Sequence, residues 1–187
     1  KEAEFFIDKL ISFLNPLPQA RFLDLACGKG RHSIYLNKKG FDITGIDLSA
    51  ESIKCASRFA NDNLRFYVHD MRLPCRINYF DYVFNLFTSF GYFENEKDNY
   101  AAIDSISKVL HEKGTVVIDF MNTLKVIANL VGSETKISEG ITFTIKRKIE
   151  DGFIIKQITF EDKGREYFFE ECVKALSLKD FENYLEP

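Results

Sequence analysis

Residues 22–33 read FLDLACGKGRHS, and this segment gives the clearest indication of the fold class. The apolar run over residues 22–26 is typical of a buried strand, and it leads directly into the glycine-rich turn Gly28-Lys29-Gly30. From Arg31 onward the pattern favours a helix, which Gly40 ends. A strand, a tight turn and a helix in this order are the opening unit of an α/β sheet that binds a ligand beside the turn.

Strands and helices alternate around this unit. Further strands are predicted at residues 41–47, 64–69, 80–86 and 115–120, and helices at 4–14, 31–39, 49–60 and 94–111. The strand segments are continuously apolar rather than alternating, as expected of strands that are covered on both faces. The sequence therefore predicts an α/β fold with a doubly wound, mostly parallel sheet and helices on both of its faces.

The pattern changes after Asn122. Following a short helix over residues 123–131, the segments 141–150 and 153–161 alternate apolar and polar side chains around Asp151-Gly152, a strong hairpin signal. We interpret residues 132–176 as an antiparallel β insertion, with 165–173 as a third strand. The insertion would be a lid or a dimer surface, and a hairpin that closes the parallel sheet is the alternative.

The expected organisation is one domain over residues 1–187 with a Rossmann-like core over 1–131. A capped helix is predicted from Ser177 to Leu185, and residues 177–187 are expected to return to the core. If 132–176 is an insertion, the last two strands of such a sheet are trimmed from this chain.

Composition limits the classes of partner. The 25 basic and 28 acidic residues give a net charge of −3, so there is no basic surplus for a nucleic-acid backbone. No apolar stretch approaches the roughly 20 residues of a membrane span. The given sequence opens on no signal segment, but it begins at Lys1 without a Met, so trimming of the N-terminus stays open as the alternative. The four cysteines are scattered without a CxxC pair, which predicts reduced thiols and no metal site. We expect a cytoplasmic protein, monomeric or homodimeric, that binds neither nucleic acid nor membranes.

Polar or glycine-rich residues follow four of the five predicted parallel strands. They are residues 24–30, Asp47-Leu48-Ser49, Asp70-Met71-Arg72 and Asn85-Leu86-Phe87-Thr88. Ligands bind at this carboxyl edge in open α/β sheets, and Asp47 stands 19 positions after Gly28, the distance at which a carboxylate takes ribose hydroxyls. However, Ser33 stands where a dinucleotide-binding loop has Gly or Ala.

The stretch DLACGKGRH at residues 24–32 resembles motif I of the class I S-adenosylmethionine-dependent methyltransferases. The resemblance continues at 45–49, at Asp70-Met71 and at 80–85, in the family's order, over roughly residues 5–131. It implies the same fold, S-adenosylmethionine as the cofactor and methyl transfer to a small molecule. Ala26 is a departure, because many members have Gly there.

The resemblance also implies a group of residues for each part of the cofactor. The backbone of the first loop, with Asp24 nearby, would hold the methionine part, and Asp47 would take the ribose hydroxyls. Asp70 would accept from the adenine amino group, and the backbone at Asn85 would line the amino-acid end. The full implied set is Asp24, Ala26, Cys27, Gly28, Gly30, Asp47, Leu48, Asp70, Met71, Asn85 and Leu86.

Eight of the fifteen residues 79–93 are aromatic. Those after the strand are interpreted as the wall of a substrate pocket: Phe87, Phe90, Tyr92 and Phe93. The segment Asn85-Leu86-Phe87-Thr88 lacks the Asn/Asp-Pro-Pro-aromatic signature of methyltransferases that act on amino groups of DNA and protein. This difference favours a small-molecule substrate.

The three histidines do not define a general base. His69 and His111 are interpreted as structural or solvent-facing, and a catalytic His32 stays open as an alternative. Two rival functions also stay open: a nicotinamide-dependent oxidoreductase, and a cofactor-binding or interaction module without activity.

Overall fold

A computed structural model describes residues 2–186. Strands and helices alternate through the first part of the chain, as the apolar pattern predicts. The strands are β1 (Arg21–Leu25), β2 (Asp42–Asp47), β3 (Leu64–Val68), β4 (Phe80–Asn85) and β5 (Leu110–Ile118), and the helices are α1 (Glu2–Leu14), α2 (Arg31–Lys38), α3 (Ala50–Ala56) and α4 (Glu96–Val109). A short 3-10 turn, Ser57–Phe59, follows α3.

The five strands form one parallel sheet in the order β3-β2-β1-β4-β5. The strand order reverses beside β1, between β2 on one side and β4 on the other, so the carboxyl end of β1 lies at the topological switch point. Phe22 of β1 is fully buried and its ring contacts Phe41, Tyr82 and Phe84 at centroid distances of 4.9, 4.8 and 5.1 Å. This aromatic cluster fixes the centre of the sheet.

The border between α4 and β5 differs from the prediction. The helix ends at Val109 rather than His111, and β5 begins at Leu110 rather than near residue 115. The pairing with β4 is irregular here, since Phe80 pairs with Leu110 but Tyr82 pairs with Thr115. The strand therefore begins with a bulge, which the helical spacing of the apolar side chains had hidden.

The remaining elements belong to a separate antiparallel sheet. They are α5 (Thr123–Ala128), β6 (Ser133–Ser138), β7 (Ile141–Glu150), β8 (Phe153–Asp162), β9 (Arg165–Lys174) and α6 (Leu178–Leu185). The sheet order is β6-β7-β8-β9. The predicted hairpin is confirmed: Glu150 pairs with Phe153, and Asp151 and Gly152 have φ values of 49° and 78°, as a tight two-residue turn requires.

The α/β class with an antiparallel addition is thus confirmed, but the boundaries need correction. Because β7–β9 form a sheet of their own, the alternative of a hairpin that closes the parallel sheet is wrong. The strand β6 was not predicted, since Ser133–Ser138 is mostly exposed and has little apolar pattern.

The described chain divides into two compact units. The first comprises the residues up to Ser89 together with Lys97–Phe120, and the second comprises Phe90–Glu96 and the residues from Met121 onward. Within the second unit, Phe181 and Tyr184 of α6 lie 5.6 and 6.2 Å from the buried ring of Phe90. The cap predicted at the start of α6 is present, and it takes the form of a capping box with Ser177 and Asp180 as reciprocal partners.

Candidate functional site

The loop after β1 turns sharply because three of its residues have left-handed backbones. Ala26, Gly28 and Gly30 have φ values of 55°, 56° and 79°. A Cβ at Gly30 would lie 2.8 Å from the Phe66 ring, whereas a Cβ at Gly28 would meet nothing within 4 Å. Gly30 is therefore needed for packing, and Gly28 faces open space where a ligand can approach the backbone.

Asp47 at the end of β2 holds this loop. One carboxylate oxygen accepts from the Gly28 N–H at 2.8 Å and the other accepts from the Ser49 N–H at 2.8 Å. Ser49 in turn caps α3 through its side chain. The carboxylate is half-buried and each oxygen keeps acceptor capacity, so two neighbouring hydroxyls can still donate to it. The next residue, Leu48, is 65% exposed beside it.

Asp24 lies deep below the loop. It is 2% exposed and accepts from the Ser33 hydroxyl at 2.5 Å. Burial raises the pKa of Asp24 to about 6, against the opposing effect of the Ser33 hydrogen bonds. Burial, followed by the charges of Asp24 and Asp47, also raises the pKa of Cys27, so this thiol stays protonated and is a poor nucleophile.

Asp70 is tied to its neighbour Arg72. Both carboxylate oxygens accept from the guanidinium, with Oδ2 at 2.6 Å from Nη2 and Oδ1 at 3.1 Å from Nε. The hydrogen bond from Arg72 holds the pKa of Asp70 below its usual value, and a second bond from Arg72 reaches Asp98 at the start of α4. Met71 between them is partly buried. The pairing with Arg72 was not predicted, although the spacing of two residues in Asp70-Met71-Arg72 allows it.

Asn85, the last residue of β4 and paired with β1, and the next residue, Leu86, are both buried. The Asn85 amide nitrogen lies 3.5 Å from the Leu25 carbonyl oxygen, but among the described residues its Oδ1 has no hydrogen-bond partner. Buried polar atoms are almost always paired, so this oxygen is available to a donor. The switch point thus combines an unpaired acceptor with the carboxylates of Asp24 and Asp47.

The polar groups at this edge of the sheet can be compared with the donors and charges of each candidate cofactor. Asp24, Asp47, Asp70 and Asn85 all present oxygen acceptors, which match the hydroxyl, amino and ammonium donors of S-adenosylmethionine and its positive sulfonium. A pyrophosphate would instead meet carboxylates of like charge. The residues present therefore fit S-adenosylmethionine better than a dinucleotide.

Phe87 follows β4 in a strained turn. Phe87 and Thr88 have φ values of 57° and 56°, a conformation that costs a non-glycine residue about 1–2 kcal/mol. Asp119, just after β5, holds both residues: its carboxylate accepts from the Phe87 N–H at 3.0 Å and its carbonyl from the Thr88 N–H at 2.9 Å. Asp119 was missed, although it is also a polar residue at the end of a parallel strand.

The four aromatic residues proposed for the substrate pocket are divided between the two units. Phe87, 45% exposed, belongs to the first unit, whereas Phe90, Tyr92 and Phe93 belong to the second. Phe90 is fully buried against Phe181 and Tyr184, so it is a core residue of its unit. Tyr92 is 52% exposed and Phe93 is partly buried.

The three histidines have distinct surroundings. His69 contacts the Leu73 carbonyl through Nε2 at 2.8 Å, and His111 lies 2.9 Å from Asp81 at the amino end of β4. His111 is the second residue of β5 and does not end a helix. His32, just after the loop that follows β1, is stacked on Phe87 with a centroid distance of 4.8 Å.

A parallel sheet of this order, with a glycine-rich loop after the first strand and an acid after the second, is typical of folds that bind nucleosides at the switch point. Residues 22–114 match a family model described as a methyltransferase domain. This region belongs to the class I S-adenosylmethionine-dependent methyltransferases, which confirms the family that the motifs indicate.

Curated relatives support this assignment. The chain is 35% identical over 114 residues to the putative methyltransferase YqeM of Bacillus subtilis (strain 168), covering 59% of this chain and 46% of that protein. It is 28% identical over 177 residues to a glycine/sarcosine N-methyltransferase of Halorhodospira halochloris, covering 89% of this chain and 63% of that protein. The chain thus spans less than two thirds of the length of these relatives.

Solved structures share the fold over almost the whole chain. An S-adenosylmethionine-dependent methyltransferase from Clostridium acetobutylicum ATCC 824 has a TM-score of 0.81 at 23% identity, covering 97% of this chain and 77% of that one. An amino pentose methyltransferase from Micromonospora echinaspora, solved with S-adenosylmethionine bound, has a TM-score of 0.77 at 20% identity, covering 98% and 79%. S-adenosylmethionine is the cofactor that the family assignment supports. Between residues 2 and 186, no helix is long and apolar enough to span a membrane.

Proposed function

We propose that this chain transfers a methyl group from S-adenosylmethionine to a small-molecule acceptor. The observation that carries the proposal is the contact between Asp47 and the Gly28 N–H, at 2.8 Å, beside the switch point of the sheet. It keeps the open face of Gly28 in place and presents a carboxylate to a ribose from a fixed position. The family assignment supports the same reaction.

The chain's own residues would bind and orient the cofactor. S-adenosylmethionine supplies an electrophilic methyl group on a sulfonium, and transfer leaves S-adenosylhomocysteine. The loop at Gly28 would hold the methionine part, Asp47 the ribose hydroxyls, and Asn85 the amino-acid end. Because methyl transfer is an in-line displacement, the protein contributes mainly by positioning the reactants and excluding water. We assign no general base.

The contacts of Asp70 and the burial of Phe90 limit the roles that are proposed for them. Asp70 would accept from the adenine amino group with oxygens that also bind Arg72, so that Arg72 orients the carboxylate. Phe90 has no exposed surface and is left out of the proposed substrate contacts. Phe87, Tyr92 and Phe93 stay predictions from the sequence. Leu48 and Met71 would pack beside the nucleoside.

The acceptor is proposed to be a small molecule. A nucleophilic nitrogen is the first acceptor atom to test. The names of two relatives support this choice: a glycine/sarcosine N-methyltransferase and an amino pentose methyltransferase. The net charge of −3 supports an acceptor other than nucleic acid. The antiparallel sheet β6–β9 is proposed to be a lid or a dimer surface.

We also propose a cytoplasmic location and a monomer or homodimer. The four cysteines are free thiols, which suits a reducing compartment. Cell fractionation and light scattering of the purified protein test these two statements.

The proposed activity is tested with S-adenosylmethionine that carries a deuterated methyl group. The protein is incubated with it and a panel of amino acids, amines and amino sugars, and mass spectrometry follows the labelled product and S-adenosylhomocysteine. We expect label in at least one acceptor together with an equal amount of S-adenosylhomocysteine. Cofactor binding without labelled product across the panel would instead favour an inactive cofactor-binding module.

A further inference from the structure

A cavity of about 310 Å³ lies beside β3, the outer strand of the parallel sheet. It is lined by Thr44 of β2, by residues 67–69 where β3 ends, and by residues 74–76 of the segment that leads to β4. In the sheet, β2 separates β3 from β1 and its glycine-rich loop. None of these lining residues belongs to the set implied for the cofactor. The cavity is therefore a separate feature of the first unit.

The side chains of Thr44 and Tyr67 lie on the face of the sheet away from the glycine-rich loop. A Cβ at Gly45 would lie 2.7 Å from the Phe66 ring, and a Cβ at Gly30 would lie 2.8 Å from the same ring. Gly45 and Phe66 therefore share the face on which the loop packs. Because successive side chains of a strand point to opposite faces, Thr44 and Tyr67 belong to the other face.

The segment between β3 and β4 forms one wall of the cavity and is held by its own contacts. The His69 Nε2 donates to the Leu73 carbonyl oxygen at 2.8 Å, since a carbonyl can only accept. The Leu73 N–H donates to the Asp70 carbonyl oxygen at 3.0 Å. The Arg76 guanidinium lies 4.5 Å from the centroid of the Tyr79 ring. A wall that is shaped before a ligand arrives lowers the cost of ordering on binding.

Arg76 gives the cavity a positive charge. No Asp or Glu lines the cavity, and over the described part of the chain Arg76 forms no ion pair. Two acids of the adjoining elements have other partners, because Asp42 pairs with Arg65 at 2.7 Å and Asp70 pairs with Arg72 at 2.6 Å. A guanidinium that lies against a ring keeps the N–H donors at its edge, in the paired geometry that matches a carboxylate.

Neutral groups complete the lining. Thr44 and Tyr67 bring hydroxyls that can donate, and Pro74 and the Tyr67 ring add apolar surface. Burial raises the pKa of the Cys75 thiol, so it stays protonated and adds no negative charge at pH 7. A small cavity with apolar walls and a few polar groups is typical of a small-molecule site. Here the polar groups favour an anion, and the walls favour an apolar body.

We propose that this cavity binds a small organic monocarboxylate with an aromatic body, at a site separate from that of the cofactor. The Arg76 guanidinium donates to the carboxylate, and the Tyr67 ring and Pro74 contact the aromatic body. A bare inorganic anion would leave the apolar walls uncovered, and a neutral molecule would leave Arg76 without an anionic partner. The site goes beyond methyl transfer and does not depend on the proposed function.

Titration of para-fluorobenzoate, followed by fluorine NMR, tests the site. We expect the wild type to bind it, and to bind para-fluorobenzyl alcohol and inorganic phosphate more weakly. Arg76→Gln should weaken para-fluorobenzoate binding by about 10- to 100-fold, as expected for hydrogen bonds to a charged group, and Arg76→Lys should keep part of the affinity. Arg58→Gln, which removes an exposed cation elsewhere in the first unit, is the matched control and should bind as the wild type does.

A second pair of variants adds a negative charge instead of removing the positive one. Tyr67→Glu places an acid in the cavity wall, and Phe59→Glu places one at an exposed aromatic residue outside it. The two side chains are 47% and 56% exposed, so both variants are expected to fold. Only Tyr67→Glu should lose para-fluorobenzoate binding, because the new acid repels the carboxylate.

Finally, the titration is repeated with S-adenosylhomocysteine at saturation, which should leave the affinity for para-fluorobenzoate unchanged. Displacement of para-fluorobenzoate would place it in the cofactor site and overturn the proposal. No binding by the wild type, or equal binding by Arg76→Gln, would overturn it as well. Failure of S-adenosylhomocysteine to bind would contradict the proposed function instead, and the titrations without it would still decide on the cavity.

Discussion

Replacement of Asp47 by alanine tests the proposed ribose contact. The change removes two hydrogen bonds of 2.8 Å, to the N–H groups of Gly28 and Ser49, and the acceptors offered to the ribose. Two hydroxyl bonds to a half-exposed carboxylate are together worth about 1–3 kcal/mol, which corresponds to roughly 5- to 150-fold in affinity. We expect that loss for S-adenosylhomocysteine in calorimetric titrations, together with a modest loss of stability.

Asp42→Ala provides the matched control for this experiment. Asp42 lies at the opposite end of the same strand, where its carboxylate pairs with Arg65 at 2.7 Å. Each variant removes one partly buried carboxylate from β2, but only Asp47 lies at the carboxyl edge. Wild-type affinity in a folded Asp47→Ala protein would refute the ribose role, and equal weakening in Asp42→Ala would point to a general loss of fold.

Three further predictions concern the same region. Ala26→Gly relieves a φ of 55° and should raise the free energy of unfolding by about 0.5–1 kcal/mol in urea titrations; a lower value would contradict strain at this position. The difference in unfolding free energy between Asp24→Asn and the wild type should shift in favour of the variant as the pH rises from 4 to 7, by about 2–3 kcal/mol in total. The reason is that a pKa raised to about 6 makes the wild type lose stability as the buried acid ionises, and a difference independent of pH would exclude this cause. Gly45→Ala places a Cβ 2.7 Å from the Phe66 ring and should lower the unfolding free energy by about 1–3 kcal/mol, whereas an unchanged melting temperature would show that the ring moves freely.

The sequence predicts the parallel sheet because its strands are short apolar runs that end in Gly, Asp or Asn. The hairpin at Asp151-Gly152 is equally clear, since both residues readily adopt positive φ. The start of β5 could not be predicted: Leu110 continues the helical spacing of α4, and only pairing with Phe80 makes it a strand residue. Tertiary contacts override local pattern at such borders.

The site was predicted in outline, as a series of residues at strand ends. The sequence pattern does not show which of those residues form hydrogen bonds with each other. The bond from Asp47 to Gly28 and the pairing of Asp70 with Arg72 depend on side-chain directions that the spacing leaves undetermined. The predicted substrate wall has a similar limitation, because aromatic content alone does not distinguish exposed Phe87 from buried Phe90.

Calorimetric titration of the purified chain with S-adenosylhomocysteine and with NAD distinguishes a methyltransferase cofactor site from a dinucleotide site. An acceptor-rich edge built from Asp24, Asp47 and Asn85 predicts saturable binding of S-adenosylhomocysteine and none of NAD. Binding of NAD alone would contradict the account.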